Sequence, residues 1–299
     1  MIYLKSFTLA SCSDEDNFCL NFPPQFEMQC YNNNNAYPFK IFPQKGLEKL
    51  DFEPITLLYG SNGSGKSTIL NLIAKKLEMS HTSLANSTPC VQDYLALCGA
   101  ELGVRVERIP TESKIITSDD VFDFLQEIRA INDGIDRERN RLFEEYRSIR
   151  ETPISDNPFT SLDDLEELKR RNDAKRSTKS DYVKRRIPKE LIGKSNGESA
   201  FIYFTDRIKD NALYLLDEPE NSLSPKLQRE LAAFIEDSAR FYSCQFIIST
   251  HSPFLLSMRG AAIYDLDTNP VSRREWYELE SIREYYDLFN NNRHRFKDN

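Results

Sequence analysis

Ile55-Thr56-Leu57-Leu58-Tyr59-Gly60-Ser61-Asn62-Gly63-Ser64-Gly65-Lys66-Ser67-Thr68 is the stretch that decides how this chain reads. Ile55 to Tyr59 is a short apolar run with a β-branched start, bounded by Pro54 and Gly60, and it reads as a buried strand. Ser67 to Leu77 places Ile69, Leu70, Leu72, Ile73 and Leu77 on one face and reads as a helix. Between them lies a complete G-x-x-x-x-G-K-[ST] pattern, in the strand–loop–helix context that it requires. Glycine lets backbone N–H groups curl around an anion, and a helix N-terminus adds the positive end of its dipole. Of only ten glycines in the chain, three fall between Gly60 and Gly65. The predicted contacts to a nucleotide are therefore Asn62, Gly63, Ser64, Gly65, Lys66, Ser67 and Thr68. Lys66 would place a cation on the β- and γ-phosphates, and the Ser67 hydroxyl would face Mg²⁺.

Working outward, Leu213-Tyr214-Leu215-Leu216 reads as a second buried strand and runs into Asp217-Glu218-Pro219-Glu220. An acidic pair closing an apolar strand sits at the carboxyl edge of the sheet, where the phosphate loop also lies in such folds. Asp217 then suits Mg²⁺, and Glu218 suits the role of general base toward an attacking water. A third apolar strand, Phe246-Ile247-Ile248-Ser249, ends in Thr250-His251-Ser252-Pro253. His251 at that strand end is the candidate for reaching the γ-phosphate or the water.

Lys114 to Thr117 and Ala262 to Leu266 are further strands, and Pro225 to Ala239 a helix with Leu227, Leu231, Phe234 and Ile235 inward. Buried strands alternating with helices predict an α/β fold, a mainly parallel sheet with flanking helices. Ile2 to Leu9 and Phe18 to Phe22 read as strands, and residues 79–113 give no clear pattern. Ser118 is the expected N-cap of an amphipathic stretch over 119–150, which Gly134 could bend or divide. A loop at 152–158 and a charged helix from about Ser161 follow. The helical block at 119–195 interrupts the strand pattern, so it is expected as an inserted lobe, with 1–118 and 196–299 forming the core.

In chain order, the phosphate loop, Ser195-Asn196-Gly197-Glu198-Ser199, Leu216-Asp217-Glu218-Pro219 and Thr250-His251-Ser252-Pro253 resemble the ABC-class P-loop ATPase series: Walker A, signature, Walker B with catalytic glutamate, and switch histidine. The signature is similar to the S-G-G-E form of the SMC and SbcC-like ATPases. Glu220 to Pro225 occupies the D-loop position. The resemblance implies a P-loop NTPase that binds ATP and Mg²⁺, hydrolyses ATP with Glu218 and His251 as catalytic residues, and dimerises around ATP. Ser195, Gly197 and Glu198 would then cap the nucleotide held by the other subunit. Asn196 departs from the first glycine of the usual signature. No Q-loop glutamine follows Ile115-Ile116, where Asp119 or Asp120 is the stand-in. Tyr37 or Phe39 could stack on adenine, against a simpler reading as core. The given sequence has neither the long coiled coil nor the C-x-x-C hook of the SMC and SbcC-like relatives, and a TOPRIM nuclease domain is not expected in the 48 residues after His251.

The chain has 299 residues, 39% hydrophobic, with a net charge of -8. Such an acid excess excludes a general nucleic-acid coater and leaves only local contact. The local exception is Lys169 to Lys194, with eleven basic residues against Asp173, Asp181 and Glu190. It is a candidate surface for nucleic acid or an acidic protein, or a solvated helix face. No run of 18 apolar residues predicts a membrane span, and the first residues lack the features of a signal peptide, so a cytoplasmic location is expected. The six cysteines and three histidines make no zinc spacing, and free thiols are expected. The alternatives to an ATPase acting on nucleic acid or a protein partner are the nucleotide-binding subunit of a membrane transporter and a regulatory ATP sensor for a separate effector.

Overall fold

The computed structural model describes residues 1–21, 37–80, 90–151, 173, 178–185 and 196–296. Its strands are β1 (Leu4–Thr8), β2 (Lys49–Asp51), β3 (Ile55–Tyr59), β4 (Gly99–Leu102), β5 (Lys114–Thr117), β6 (Leu213–Asp217), β7 (Gln245–Ser249), β8 (Ala262–Asp265) and β9 (Ser272–Arg273). Its helices are α1 (Cys12–Asn21), α2 (Lys66–Lys76), α3 (Cys90–Leu97), α4 (Ser118–Glu151), α5 (Lys179–Lys184), α6 (Asn196–Arg207), α7 (Pro225–Phe241), α8 (Pro253–Leu256) and α9 (Glu280–Asn291). Contacts divide the chain into two compact units, Met1–Phe122 with Asn196–Asn299, and Asp123–Ser195.

In the first unit a six-stranded sheet runs in the order β5-β6-β7-β3-β8-β9. Every pairing is parallel except the edge pair of β8 and β9. All five residues of β3 and all five of β7 are buried, as a strand covered on both faces requires. Helix α2 packs against β5, β6 and β7, and α7 against β7. A smaller antiparallel sheet, β2-β1-β4, shares one apolar core with the large sheet through Leu4, Phe7, Leu50, Leu58, Ile69, Leu215 and Ile247. The buried Gln245 side chain joins the two sheets. Its amide oxygen accepts from Tyr3 N at 2.7 Å and Leu4 N at 2.9 Å, while its nitrogen donates to Leu4 O at 2.8 Å.

Three local expectations change. Phe18 to Asn21 is the end of a helix rather than a strand. The cause is a reciprocal cap at its start, where Asp14 N donates to Ser11 Oγ (3.2 Å) and Ser11 N to Asp14 Oδ2 (3.1 Å). Phe22 lies outside the described residues. The cap of α4 is Thr117, one residue before Ser118: Asp120 N donates to Thr117 Oγ1 (3.2 Å) and Thr117 N to Asp120 Oδ2 (2.8 Å). Gly134 does not divide α4, which is helical throughout. Residues 90–102, without a clear pattern in sequence, form α3 and β4.

The second unit, described by itself, packs Leu142, Phe143 and Tyr146 of α4 with Tyr182 and Val183 of α5. Tyr182 donates its hydroxyl to Glu145 Oε1 at 3.0 Å. Most of the basic segment, the loop at 152–158 and the charged stretch from Ser161 lie outside the described residues, as does Ser195. Among the described residues, Cys98 and Cys244 are buried and Cys12 is exposed, all as free thiols. Burial pushes the Cys98 thiol up to about 12. No described helix is long and apolar enough to cross a membrane.

Candidate active site

The parallel register brings four strand ends together. Thr117 pairs with Asp217, Asp217 with Ser249, and Ser249 with Leu58, two residues before Gly60 opens the loop. The loop leaves β3 through Gly60 and enters α2 at Lys66. Gly63 has φ +82° and Gly65 φ +103°, a region that disfavours side chains. At Gly65 a Cβ would also stand 3.0 Å from Phe42 Cε1.

Lys66 is 4% exposed, and its Nζ donates to Gly60 O at 2.7 Å and Ser61 O at 3.2 Å. Burial lowers its pKa, while Glu218 and Asp217 pull the other way. Asn62 and Gly63 are exposed at the loop tip, Ser64 and Thr68 are buried, and Ser67 is exposed. Ser67 Oγ donates to Asp217 Oδ1 at 3.0 Å, and Ser249 Oγ donates to the same oxygen. Burial raises the Asp217 pKa above the usual carboxylate range, with these two hydroxyls opposing. The Ser67–Asp217 pair offers only oxygen donors, the chemistry Mg²⁺ takes when one or two carboxylates and phosphates hold it.

Glu218 follows directly, with φ +48° and ψ +55°. A left-handed conformation in a residue other than glycine costs about 1–2 kcal/mol. The Glu218 N–H, lying near both Ser249 O (3.0 Å) and Ser249 Oγ (3.1 Å), helps hold it there. The side chain is thereby aimed into the site: Oε1 lies 3.9 Å from Lys66 Nζ and 3.7 Å from His251 Nε2, and Oε2 accepts from Asn221 at 3.0 Å. His251 stands edge-on to Tyr59, with ring centroids 6.2 Å apart. Burial, then Lys66, lowers its pKa and favours the neutral imidazole. Gly197 opens α6 in a tight place, where a Cβ would meet Leu227 Cδ1 at 3.1 Å and Ser222 O at 3.4 Å. Glu198 beside it is exposed.

The structure thus brings Lys66, Ser67, Asp217, Glu218 and His251 together. Asp120 is buried and spends Oδ2 on the Thr117 cap. Phe39 is core, stacked on Phe18 at 4.9 Å and edge-on to Tyr94 at 5.0 Å, while Tyr37 donates its hydroxyl to Thr68 Oγ1 at 3.1 Å. Sequence reasoning missed two supports of the loop. Asp267 accepts from Ser61 N (2.6 Å) and Ser61 Oγ (2.8 Å), and Lys45 Nζ bridges Ser64 O (2.9 Å) and Leu266 O (2.8 Å). It also missed Ser249, a hydroxyl that closes an apolar strand and stands directly opposite Asp217 in the register.

The family model described as "AAA domain, putative AbiEii toxin, Type IV TA system" matches residues 105–257, just over half of the chain. The chain belongs to this AAA-domain family. A second model, described as "AAA domain", matches residues 38–74 of the AAA-domain chain and so includes the phosphate loop. Among solved structures, an Smc head domain of Pyrococcus furiosus, bound to the C-terminal domain of ScpA, is similar at 15% identity, with 96% of this chain and 100% of that chain covered and a TM-score of 0.43. A nucleotide-free ATP-binding cassette from an ABC transporter gives 15% identity, 96% and 99% coverage and a TM-score of 0.43. The SMC head domain from Thermotoga maritima gives 14%, 91% and 98%, and 0.37. No match was found among the curated proteins.

Proposed function

We propose that this AAA-domain chain binds ATP with Mg²⁺ and hydrolyses the terminal phosphate bond. The observation that carries the reading is the convergence of Lys66, the Ser67–Asp217 pair and the Glu218 carboxylate at one sheet edge. The loop N–H groups and the α2 N-terminus hold the phosphates, and Lys66 neutralises them from within the loop. Ser67 and Asp217 would hold Mg²⁺, which when bound offsets charge on the phosphate oxygens. Glu218 accepts a proton from the attacking water. His251, neutral and 3.7 Å from Glu218, orients that water and faces the γ-phosphate.

The working form we propose is a dimer closed around ATP, with Ser195, Gly197 and Glu198 of each subunit meeting the nucleotide of the other. Lys169 to Lys194 is the proposed contact for nucleic acid or an acidic protein. The test of the site is a calorimetric titration with ATP and Mg²⁺. Wild type binds and Lys66→Ala loses most of its affinity; equal affinity overturns the assignment of the loop.

A further inference from the structure

Glu220 follows the acidic pair by two residues, at the second position of the turn Pro219–Ser222. Its side chain turns back toward the end of β7. One oxygen, Oε1, accepts from three successive residues: Thr250 Oγ1 at 2.8 Å, His251 N at 2.6 Å and Ser252 N at 3.1 Å. Thr250 is fully buried and Ser252 is 4% exposed. Around this centre Ser252 Oγ donates to Gln228 Oε1 at 2.8 Å, and Gln228 Nε2 donates to Leu223 O at 2.9 Å. The turn that carries His251 is therefore fastened to the turn that follows Glu218. Glu218 itself is tied to Ser249 through its N–H. The two ties meet on either side of the 3.7 Å gap between Glu218 Oε1 and His251 Nε2.

We infer that Glu220 is a positioning residue, whose carboxylate sets the 250–252 turn and thereby holds His251 at its working distance from Glu218. The inference rests on the proposed roles of Glu218 and His251. It gives Glu220 a task within its own chain, separate from any contact across a dimer. Three donors on one oxygen fix a backbone segment more firmly than one, because each removes a different freedom of the turn. The donors are N–H and O–H groups, so the task needs an acceptor at the Oε1 position and no proton transfer. Gln can supply that acceptor with its carbonyl. Ala cannot: it leaves the His251 N–H without its acceptor and leaves Ser252 N only its bond to Thr250 Oγ1 at 3.0 Å.

The experiment measures nucleotide affinity, kcat and KM for Glu220→Ala, Glu220→Gln, His251→Ala and the double variant Glu220→Ala/His251→Ala, with Glu218→Gln alongside. Displacements of about 1 Å at a reacting centre cost up to roughly 100-fold in rate. Glu220→Ala is expected to lower kcat by roughly 10–100-fold with nucleotide affinity within about threefold, and Glu220→Gln to restore most of the rate. In the His251→Ala background the same Glu220→Ala change should cost less than about threefold, since the two act through one group. If Glu220→Ala does not fold, Thr250→Ala replaces it, removing one of the three donors with the same dependence on His251 expected. Full additivity with His251→Ala, or a Gln variant as slow as Ala, overturns the inference. A Glu218→Gln protein with wild-type turnover overturns instead the proposed hydrolytic site, which separates the two failures.

Discussion

Replacing Glu218 by Gln tests the site most directly, because it separates binding from chemistry with opposite signs. The carboxylate stands 3.9 Å from the Lys66 ammonium, with the lysine 4% and the glutamate 28% exposed. Opposite charges at that distance attract by about 4 kcal/mol at an effective dielectric of 20. Desolvation and partial exposure leave a net of about 1 kcal/mol. Gln removes that competition for Lys66 and removes a negative charge facing the triphosphate, so ATP should bind with equal or up to roughly fivefold higher affinity. Gln can still accept the Asn221 amide that now meets Glu218 Oε2 at 3.0 Å, so the local geometry is kept. It cannot take a proton, and general bases contribute about 10²–10⁴-fold, equal to about 2.7–5.5 kcal/mol of barrier. Calorimetry with ATP and Mg²⁺ reads the first effect, and single-turnover phosphate release reads the second. Light scattering of the same variant with ATP should show a dimer. Hydrolysis near the wild-type rate, or clearly weaker ATP binding, would refute the assignment of Glu218 as base opposite Lys66.

Asp217→Asn should raise the melting temperature at pH 7 by roughly 2–4 °C while abolishing Mg²⁺-dependent turnover. Burial raises the Asp217 pKa, so the native state holds this proton more tightly than the unfolded chain, and stability from this group is lost as pH rises through the folded pKa. The advantage of Asn should therefore grow between pH 4 and pH 7 in thermal melts; an Asn variant less stable than wild type at pH 7 contradicts it. Gln245→Leu should cost about 2–6 kcal/mol in urea unfolding, since it strips partners from the Tyr3 and Leu4 amides. A loss under about 1 kcal/mol would show that the two sheets do not depend on this side chain. Reversing Arg170, Arg171, Arg185 and Arg186 to Glu should abolish salt-sensitive binding of labelled DNA or RNA while ATP hydrolysis persists. Fluorescence anisotropy at two salt concentrations decides it: equal binding by the variant, or none by wild type with ATP, removes nucleic acid as the ligand.

The strands that form the site were legible because each is a short apolar run whose punctuation is local, as at Pro54 and Gly60 around β3. The phosphate loop and the acidic pair were legible for the same reason, since spacing within a few residues carries their chemistry. What escaped depends on pairing across the chain. β4 is Gly-Ala-Glu-Leu, without a β-branched residue, and becomes a strand because β1 offers it an edge. Asp267 and Lys45 reach the loop from 206 and 19 residues away, and nothing in their neighbourhoods announces it. The start of α1 was a different kind of miss. Ser11 and Asp14 have the spacing of a capping box, but the apolar residues between Phe18 and Phe22 fit a strand as well as a helix. Thr117 with Asp120 repeats the device, with Asp in place of the usual Glu, and Thr178 with Asp181 shows its first half, Asp181 N donating to Thr178 Oγ1.

The position of β3 in the sheet has a consequence for the order of events during synthesis. This strand carries the nucleotide loop, yet its neighbours are β7 on one side and β8 on the other. Both come from the last quarter of the chain. At usual elongation rates the ribosome makes β3 on the order of 10–40 s before β7 emerges to pair with it. Through that interval the loop has no sheet edge to brace it, and the two amides that Gln245 will claim stay in water. On the proposed function, ATP would meet a loop braced by its sheet only after β7 and β8 have been made.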